Sequence, residues 1–236
     1  MKSIVLILEC LTNLHVGNGD VNYNVVDNEV ERDPVTNYPT INSSGVKGAL
    51  RAFLEDNENV EKWFGGEGEK GDGKIKVLSA NLIAMPARAT AGPEAFYLLT
   101  TNEMIKLYNK LGEAFSFDCN GVAISKPVEN SNVNAEKKAE DIPLENCIKF
   151  NDKEIYVVED EDFRKIDLPV IARNRINGDR NLWYEEVVSH ESIFYIPIIS
   201  EDNELLEAFK EAVNGKVIQF GGNASIGYGL CKVIVR

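Results

Sequence analysis

Two amphipathic helical segments, each lying between strand-like runs, constrain the fold of this chain more than any other feature. The first helix starts at Ser43 or Ser44, with a serine as its cap, and runs to about residue 56 with apolar residues at helical spacing. The second covers residues 201–213. Strand-like runs at 3–12, 75–85, 193–199 and 230–235 precede and follow the helices. This order of strand, helix and strand, repeated after inserted segments, predicts an α+β fold with a ferredoxin-like sheet.

The 236 residues can form one domain with a sizeable core, so we predict a single domain with three long insertions. Residues 13–42 are rich in Asn and Gly and predict a long loop, of a length that is often functional. Residues 118–162 are polar and acidic, with strand-like pieces at 121–125 and 154–158, and predict a peripheral insertion or a partly disordered loop. Residues 193–199 predict a strand interrupted by Pro197. Residues 168–188 carry Asn-Gly between strand-like runs, which predicts a hairpin.

Composition limits the class of protein. The net charge of −13 argues against a free-standing nucleic-acid binder, unless basic residues cluster on one face or basic partners share the task. The four cysteines form no CxxC pair, so we expect reduced thiols and a cytoplasmic protein. The apolar N-terminal run is too short for a membrane span and lacks a cleavage site, so no membrane association is expected.

The start of the first helix is a candidate phosphate site. Ser43 and Ser44 stand at the N-terminus, and Lys47 and Arg51 lie four residues apart on one side. Backbone amides at a helix N-terminus, together with cations, attract phosphate. An ordinary capped helix with a solvated basic face explains the same residues, and both interpretations remain open.

Carboxylates in the 13–42 loop are candidate general bases or metal ligands, which cleavage of a phosphodiester requires. They are Asp20, Asp27, Glu29, Glu31 and Asp33. Any one of them could equally be a solvated residue or a turn former. His15, at the end of the first strand, could act as an acid or base near neutral pH or could be structural.

Two further features could contact nucleic acid. The sequence GGNASIGYG at 221–229 permits close backbone approach, or is simply a tight loop. Three arginines, Arg173, Arg175 and Arg180, are predicted near the hairpin tip beside Trp183 and Tyr184. They could stack on bases, or be solvated while the aromatic side chains pack in the core.

The motifs LHVGNG (14–19), VVD (25–27), RDP (32–34) and YPTINSSGVKGALR (38–51) resemble the start of RAMP-superfamily proteins. QFGGNASIGYGL (219–230) is similar to the glycine-rich motif at the other end of that family. MPAR (85–88) and NLWYEE (181–186) resemble most closely the backbone subunits of type III-B (Cmr) CRISPR effector complexes.

The resemblance implies an RRM-like palm carrying a thumb hairpin at 168–188, and a subunit that stacks in copies along a CRISPR guide RNA beside other Cmr-type subunits. It implies that Asp27, in the catalytic loop 13–42, cleaves bound target RNA with a divalent metal, expected to be Mg²⁺, for which Asp27 is a candidate ligand. His15 becomes a supporting loop residue. The positions that the resemblance implies for guide binding are Ser43, Ser44, Lys47 and the C-terminal glycine motif, with Gly221, Gly222, Asn223 and Gly227. Arg51, Arg173 and Arg175 are RNA-binding candidates from their own charge and position.

Three alternatives stay open. Departures from the family pattern at Asn24 and at Asn28-Glu29, beside Asp27, allow a guide-binding scaffold without cleavage activity. The sister type III-A (Csm) backbone subunit carries similar motifs. A free-standing RAMP endoribonuclease that processes precursor RNA would be expected to use a histidine near the glycine loop, and His190 is poorly placed for that.

Overall fold

The computed structural model describes residues 1–17, 26–66, 71–117, 119, 134–137, 140–177 and 179–236, without the side chains of 140, 175–177 and 179–181. The strands are β1 Lys2–Cys10, β2 Thr40–Ile41, β3 Ile75–Val77, β4 Ala80–Ala91, β5 Phe96–Thr101, β6 Asn134–Lys137, β7 Glu140–Pro143, β8 Asn146–Phe150, β9 Lys153–Val158, β10 Val170–Asn177, β11 Asp179–Glu186, β12 Ile193–Ser200, β13 Val217–Gln219 and β14 Leu230–Val235. The helices are α1 Ser43–Phe53, α2 Val60–Phe64, α3 Asn102–Phe115, α4 Asp160–Phe163 and α5 Asn203–Val213.

The centre of the molecule is a ferredoxin-like sheet. Its strands lie in the order β14, β1, β12 and β4, and each neighbouring pair is antiparallel. Helix α1 lies between β1 and β4 in the chain, and β12 separates those two strands in the sheet. Helix α5 lies between β12 and β14 in the chain, and β1 separates those two strands in the sheet. This arrangement confirms the predicted α+β class and its split βαβ topology.

Both faces of this sheet are covered. On one face, Val46 and Leu50 of α1 and Phe209 of α5 join a core with alternate residues of β1. On the other face, Tyr108 of α3 packs against Tyr195, with ring centroids 4.9 Å apart. Because water reaches neither face, β12 is buried along its whole length, and its sequence is a nearly continuous apolar run.

The prediction that residues 118–162 form a peripheral segment is wrong for 146–158. Strand β9 pairs in parallel with β5, and β8 pairs with β9, so both strands extend the main sheet. Ile148 and Ile155 are fully buried there. The strand-like piece predicted at 154–158 corresponds to β9, whereas β8 was not recognised among the polar and acidic residues around it. Residues 118, 120–133, 138 and 139 lie outside the described part of the chain.

Pro197 does not interrupt β12, contrary to prediction. It pairs with Val5 of β1, and on the other side its carbonyl accepts a hydrogen bond from Leu78 N. Leu78 lies in the gap between β3 and β4, which the sequence had predicted as one strand at 75–85. The proline lacks an N–H to donate, and it therefore stands where the neighbouring strand is broken.

Two helix ends also differ from prediction. The cap of α1 is Asn42, so Ser43 and Ser44 form the first turn. The apolar spacing at 102–112 predicts a helix ended by Gly112, whereas α3 continues to Phe115. Gly112 instead contacts Phe117 and Cys119, and no larger residue would fit there. None of the helices within the described residues is long and apolar enough to cross a membrane.

Candidate functional site

The hairpin predicted at 168–188 is present as a separate two-stranded sheet of β10 and β11. Its base joins the chain that follows β1, because Leu14 and Val188 exchange two backbone hydrogen bonds of 2.9 and 2.8 Å. Arg173 is not near the tip, since it pairs with Trp183 four residue pairs before the turn. The side chains of Arg175 and Arg180 lie outside the described part of the chain.

Residues 26–32, here called the Asp27 segment, run beside strand β11 of this hairpin. The Asp27 N–H donates to the Tyr184 carbonyl (3.0 Å), and the Tyr184 N–H donates to Asp27 Oδ2 (2.7 Å). Glu186 N then donates to the carbonyl of Asn28 (2.9 Å). Asp27 is exposed, so its carboxylate has a fixed position and remains open to solvent.

The side chain of Glu186 holds the second half of the Asp27 segment. Its Oε2 accepts the N–H of Val30 (3.0 Å), and its Oε1 accepts from Arg32 Nη2 (2.6 Å). On the opposite edge, Glu31 N donates to the Val16 carbonyl (2.7 Å). The Asp27 segment is therefore held between the chain after β1 and the base of the hairpin.

Glu185 faces the other side of β11, because consecutive strand residues point to opposite faces. It is 4% exposed, and three groups converge on its carboxylate. Arg173 Nε lies at 2.6 Å, Asn223 Nδ2 donates at 2.8 Å, and His15 Nε2 lies at 3.7 Å. The guanidinium of Arg173 also lies over the ring of Tyr228, 4.6 Å from its centroid. Arg173 thus ties the hairpin to the glycine-rich end of the chain.

Residues 221–229, here called the glycine loop, pack against the same chain that leads to the Asp27 segment. Gly222 N donates to the His15 carbonyl (2.9 Å), and Gly229 N donates to the Asn13 carbonyl (2.8 Å). Gly221 has φ +73°, and a Cβ at this position would overlap the His15 carbonyl oxygen. Only glycine combines a positive φ with the absence of a Cβ, so the close approach of this loop to His15 depends on Gly221.

His15 lies at the centre of these contacts. Its Nδ1 lies 2.7 Å from the carbonyl oxygen of Glu186, which can only accept, so Nδ1 carries the proton. The ring is buried, with its Nε2 directed towards Glu185. His15 therefore links the glycine loop to the hairpin base, which is a supporting arrangement.

The start of α1 already holds an anionic group. The carboxylate of Glu31 accepts from the backbone N–H of Asn42 (3.2 Å) and from the Asn42 side chain. Ser43, Ser44 and Lys47 are exposed beside it. Arg51 is partly buried and donates to the carbonyl of Gly65 (2.6 Å), which ties α1 to the end of α2. The helix terminus is thus suited to negative charge, as its dipole requires.

The other loop carboxylates differ from Asp27 in their tasks. Asp33 Oδ1 accepts from the N–H groups of Val35 and Thr36 and from the Thr36 hydroxyl, which makes it a turn former. The same turn is closed by Asp33 N, which donates to the carbonyl of Tyr38. The pKa of the Tyr38 hydroxyl is raised, mainly by burial and secondly by its hydrogen bond with Asp160. Asp20 lies outside the described part of the chain.

Within the described ranges, no group of three or more His, Cys, Asp or Glu side chains could hold a metal ion. Mg²⁺ is commonly bound through one or two carboxylates together with substrate phosphates, rather than by a cage made of protein alone. The exposed Asp27 carboxylate fits that kind of site, in which RNA would complete the coordination.

Sequence reasoning missed Glu185 and Glu186. Both lie in the motif NLWYEE (181–186), and the motif alone indicates no role for either. Two adjacent acids at the end of a strand predicted in a hairpin must face opposite sides, and one of them is then expected to be buried. A buried carboxylate requires partners, and that requirement was the available signal.

Comparison with known proteins gives consistent results. Residues 7–232 match the family model of the RAMP superfamily. The CRISPR system Cmr endoribonuclease Cmr4 of Pyrococcus furiosus is 28% identical over 285 residues, covering 100% of this chain and 96% of that protein. The CRISPR system CMR subunit Cmr4 of Saccharolobus solfataricus is 31% identical over 118 residues, or 46% of this chain.

Solved structures share the fold. A chain of the type III-B Cmr-beta complex, solved by cryo-EM with cognate target RNA, superposes with a TM-score of 0.82 at 22% identity and covers 100% of this chain and 97% of that chain. The crystal structure of oligomeric Cmr4 from Pyrococcus furiosus gives a TM-score of 0.75 at 23% identity, with 100% and 98% covered.

Proposed function

The chain belongs to the RAMP superfamily, and we propose that it is the backbone subunit of a type III-B CRISPR effector complex. In this proposal, copies of the subunit stack along a guide RNA beside other Cmr-type subunits in the cytoplasm. Asp27 of each copy cleaves the complementary target RNA. The similarity to Cmr4 over the full length of the chain supports the type III-B class over the type III-A alternative.

Three properties of the relatives support the proposal. The Pyrococcus furiosus protein is named an endoribonuclease. Its crystal structure is described as oligomeric. The Cmr-beta complex was solved with cognate target RNA bound. Transferred to this chain, these properties give the guide RNA, the target RNA and further copies of the chain as its partners.

The observation that carries the cleavage proposal is the fixed, exposed carboxylate of Asp27. The Asp27 backbone N–H donates to Tyr184 and the carboxylate accepts from Tyr184 N, so the carboxylate does not need to be ordered when RNA arrives. A positioned carboxylate can accept a proton from the attacking 2′-hydroxyl or water. Preorganisation of this kind lowers the entropic cost of reaching the reactive geometry.

Mg²⁺ is the proposed cofactor, and Asp27 is the residue of this chain that would hold it. Such an ion offsets the negative charge that develops on the phosphate during cleavage. The remaining residues of the proposal bind the guide: Ser43, Ser44 and Lys47 at the start of α1, and the glycine loop through its exposed backbone.

The test is cleavage by the assembled wild-type complex. Guide-loaded complex is mixed with end-labelled complementary RNA, with and without EDTA, and the products are mapped. We expect cuts at a regular spacing that vanish with EDTA and with non-complementary RNA. Stable target binding without any cuts would instead support the alternative, a guide-binding scaffold without cleavage activity.

A further inference from the structure

The Glu186 side chain bridges two points of the Asp27 segment. It accepts the backbone N–H of Val30 through Oε2 and the guanidinium of Arg32 through Oε1. The same residue donates its own N–H to Asn28 and accepts from His15 Nδ1 through its carbonyl. One residue of the hairpin base thus contacts the Asp27 segment at three positions and the supporting histidine at a fourth.

These contacts are shielded from solvent. The Glu186 side chain is 13% exposed, the Arg32 side chain 31%, and Val30 is 3% exposed. Exposed ion pairs contribute little because water competes for both partners. Here the pair is largely covered, and its carboxylate also satisfies a buried backbone N–H. A buried N–H left without an acceptor is destabilising, so the segment depends on this carboxylate for its path.

We propose that Glu186 is a positioning residue that fixes the direction of the Asp27 carboxylate by clamping residues 30–32 to the hairpin base. Tyr184 holds the Asp27 segment at Asp27, and Glu186 holds it three to five residues further on. Backbone hydrogen bonds at Asp27, Asn28 and Glu31 hold the main chain of the segment, and the Glu186 side chain adds the bonds at Val30 and Arg32. Glu186 acts through the segment and has no contact with RNA in this proposal.

The inference rests on the proposed function, because it concerns the same carboxylate. It makes a prediction of its own, since the clamp can be measured without cleavage. Backbone amides of residues 28–32 exchange with solvent at a rate set by how often the segment opens. Hydrogen exchange of the subunit therefore reports the clamp directly, whether or not the complex cleaves RNA.

The experiment compares four variants in the assembled, guide-loaded complex. Glu186→Ala removes both contacts of the side chain. Glu186→Gln keeps an acceptor for Val30 N but loses the charge that pairs with Arg32, and Arg32→Gln removes the same pair from the other side. The control is Glu161→Gln, the same chemical change at an exposed residue whose carboxylate pairs with Lys165 at 2.9 Å.

We expect faster exchange at 28–32 in Glu186→Ala, and a maximal cleavage rate lower by roughly a hundredfold, since misplacement by about 1 Å has that effect. Glu186→Gln and Arg32→Gln should each lower the maximal cleavage rate by about tenfold, because each would displace the Asp27 carboxylate only partly. The affinity for target RNA, and the RNA concentration giving half-maximal rate, should not change. Glu161→Gln should match the wild type in every measurement.

The outcomes separate this inference from the proposed function. Normal exchange in Glu186→Ala, or faster exchange with a wild-type cleavage rate, would refute the positioning role while Asp27 remains the catalytic candidate. Loss of assembly in Glu186→Ala together with wild-type kinetics in Glu186→Gln would assign Glu186 a purely structural role. If the wild-type complex does not cleave, the proposed function fails, and only the exchange measurement then decides on the clamp.

Discussion

At the scale of single residues, the site is organised by consecutive residues of one strand, with different partners. Tyr184 binds Asp27, Glu185 binds the glycine loop through Asn223, and Glu186 binds Val30 and Arg32. The alternating geometry of a β-strand makes this division possible within three positions. The candidate catalytic loop and the candidate guide-binding loop are therefore joined through a few side chains of β11.

Gly221 provides a residue-scale prediction, because it combines a left-handed backbone with a close approach to His15. Gly221→Ala should destabilise the subunit by more than Gly215→Ala, whose φ is also +73° but whose Cβ would meet open space. Placing alanine in the left-handed backbone conformation costs about 1–2 kcal/mol of stability in each variant. The overlap in Gly221→Ala should add roughly 1–3 kcal/mol.

The measurement is chemical denaturation of the two variants and the wild type, followed by guide-RNA binding. Gly221→Ala should also weaken guide binding, because the glycine loop would move away from His15. Equal stability of the two variants would show that the close approach of the loop to His15 is unimportant.

At the scale of elements, most of the fold was predictable from apolar periodicity. The patterns at 201–213 and 230–235 predicted α5 and β14, and Asn-Gly predicted the β10–β11 turn. The pattern at 154–158 predicted a strand that corresponds to β9, but its place in the main sheet was not predictable, because its parallel pairing with β5 is a tertiary effect. The site was only partly predictable: Asp27 and His15 lie in recognisable motifs, whereas the tasks of Glu185 and Glu186 depend on which elements meet β11.

The exposed start of α1 gives a prediction for this element. Lys47→Ala should weaken RNA binding equally for all RNA sequences. It should also reduce the slope of log K against log salt concentration by the amount that corresponds to about one phosphate contact per subunit. The control is Lys106→Ala, an exposed lysine of α3 that pairs with Glu103 at 2.7 Å. Binding titrations over a range of salt concentrations test both variants. An unchanged salt slope in Lys47→Ala would exclude α1 as a phosphate site.

At the scale of the whole molecule, the net charge of −13 opposes RNA binding by one copy. The proposed filament would resolve this conflict, since many copies would each contribute a few contacts to one guide and the combined affinity would greatly exceed that of a single site. The proposal thus requires assembly for guide binding as well as for cleavage.

The most direct test of the central claim is Asp27→Asn in the assembled complex. Asparagine keeps the size of the side chain and an oxygen that can accept from Tyr184 N, so the hairpin contact and the path of the chain should persist. Only the negative charge is lost. The account predicts normal assembly, normal target binding and no regularly spaced cleavage. Cleavage at the wild-type rate by Asp27→Asn would contradict it.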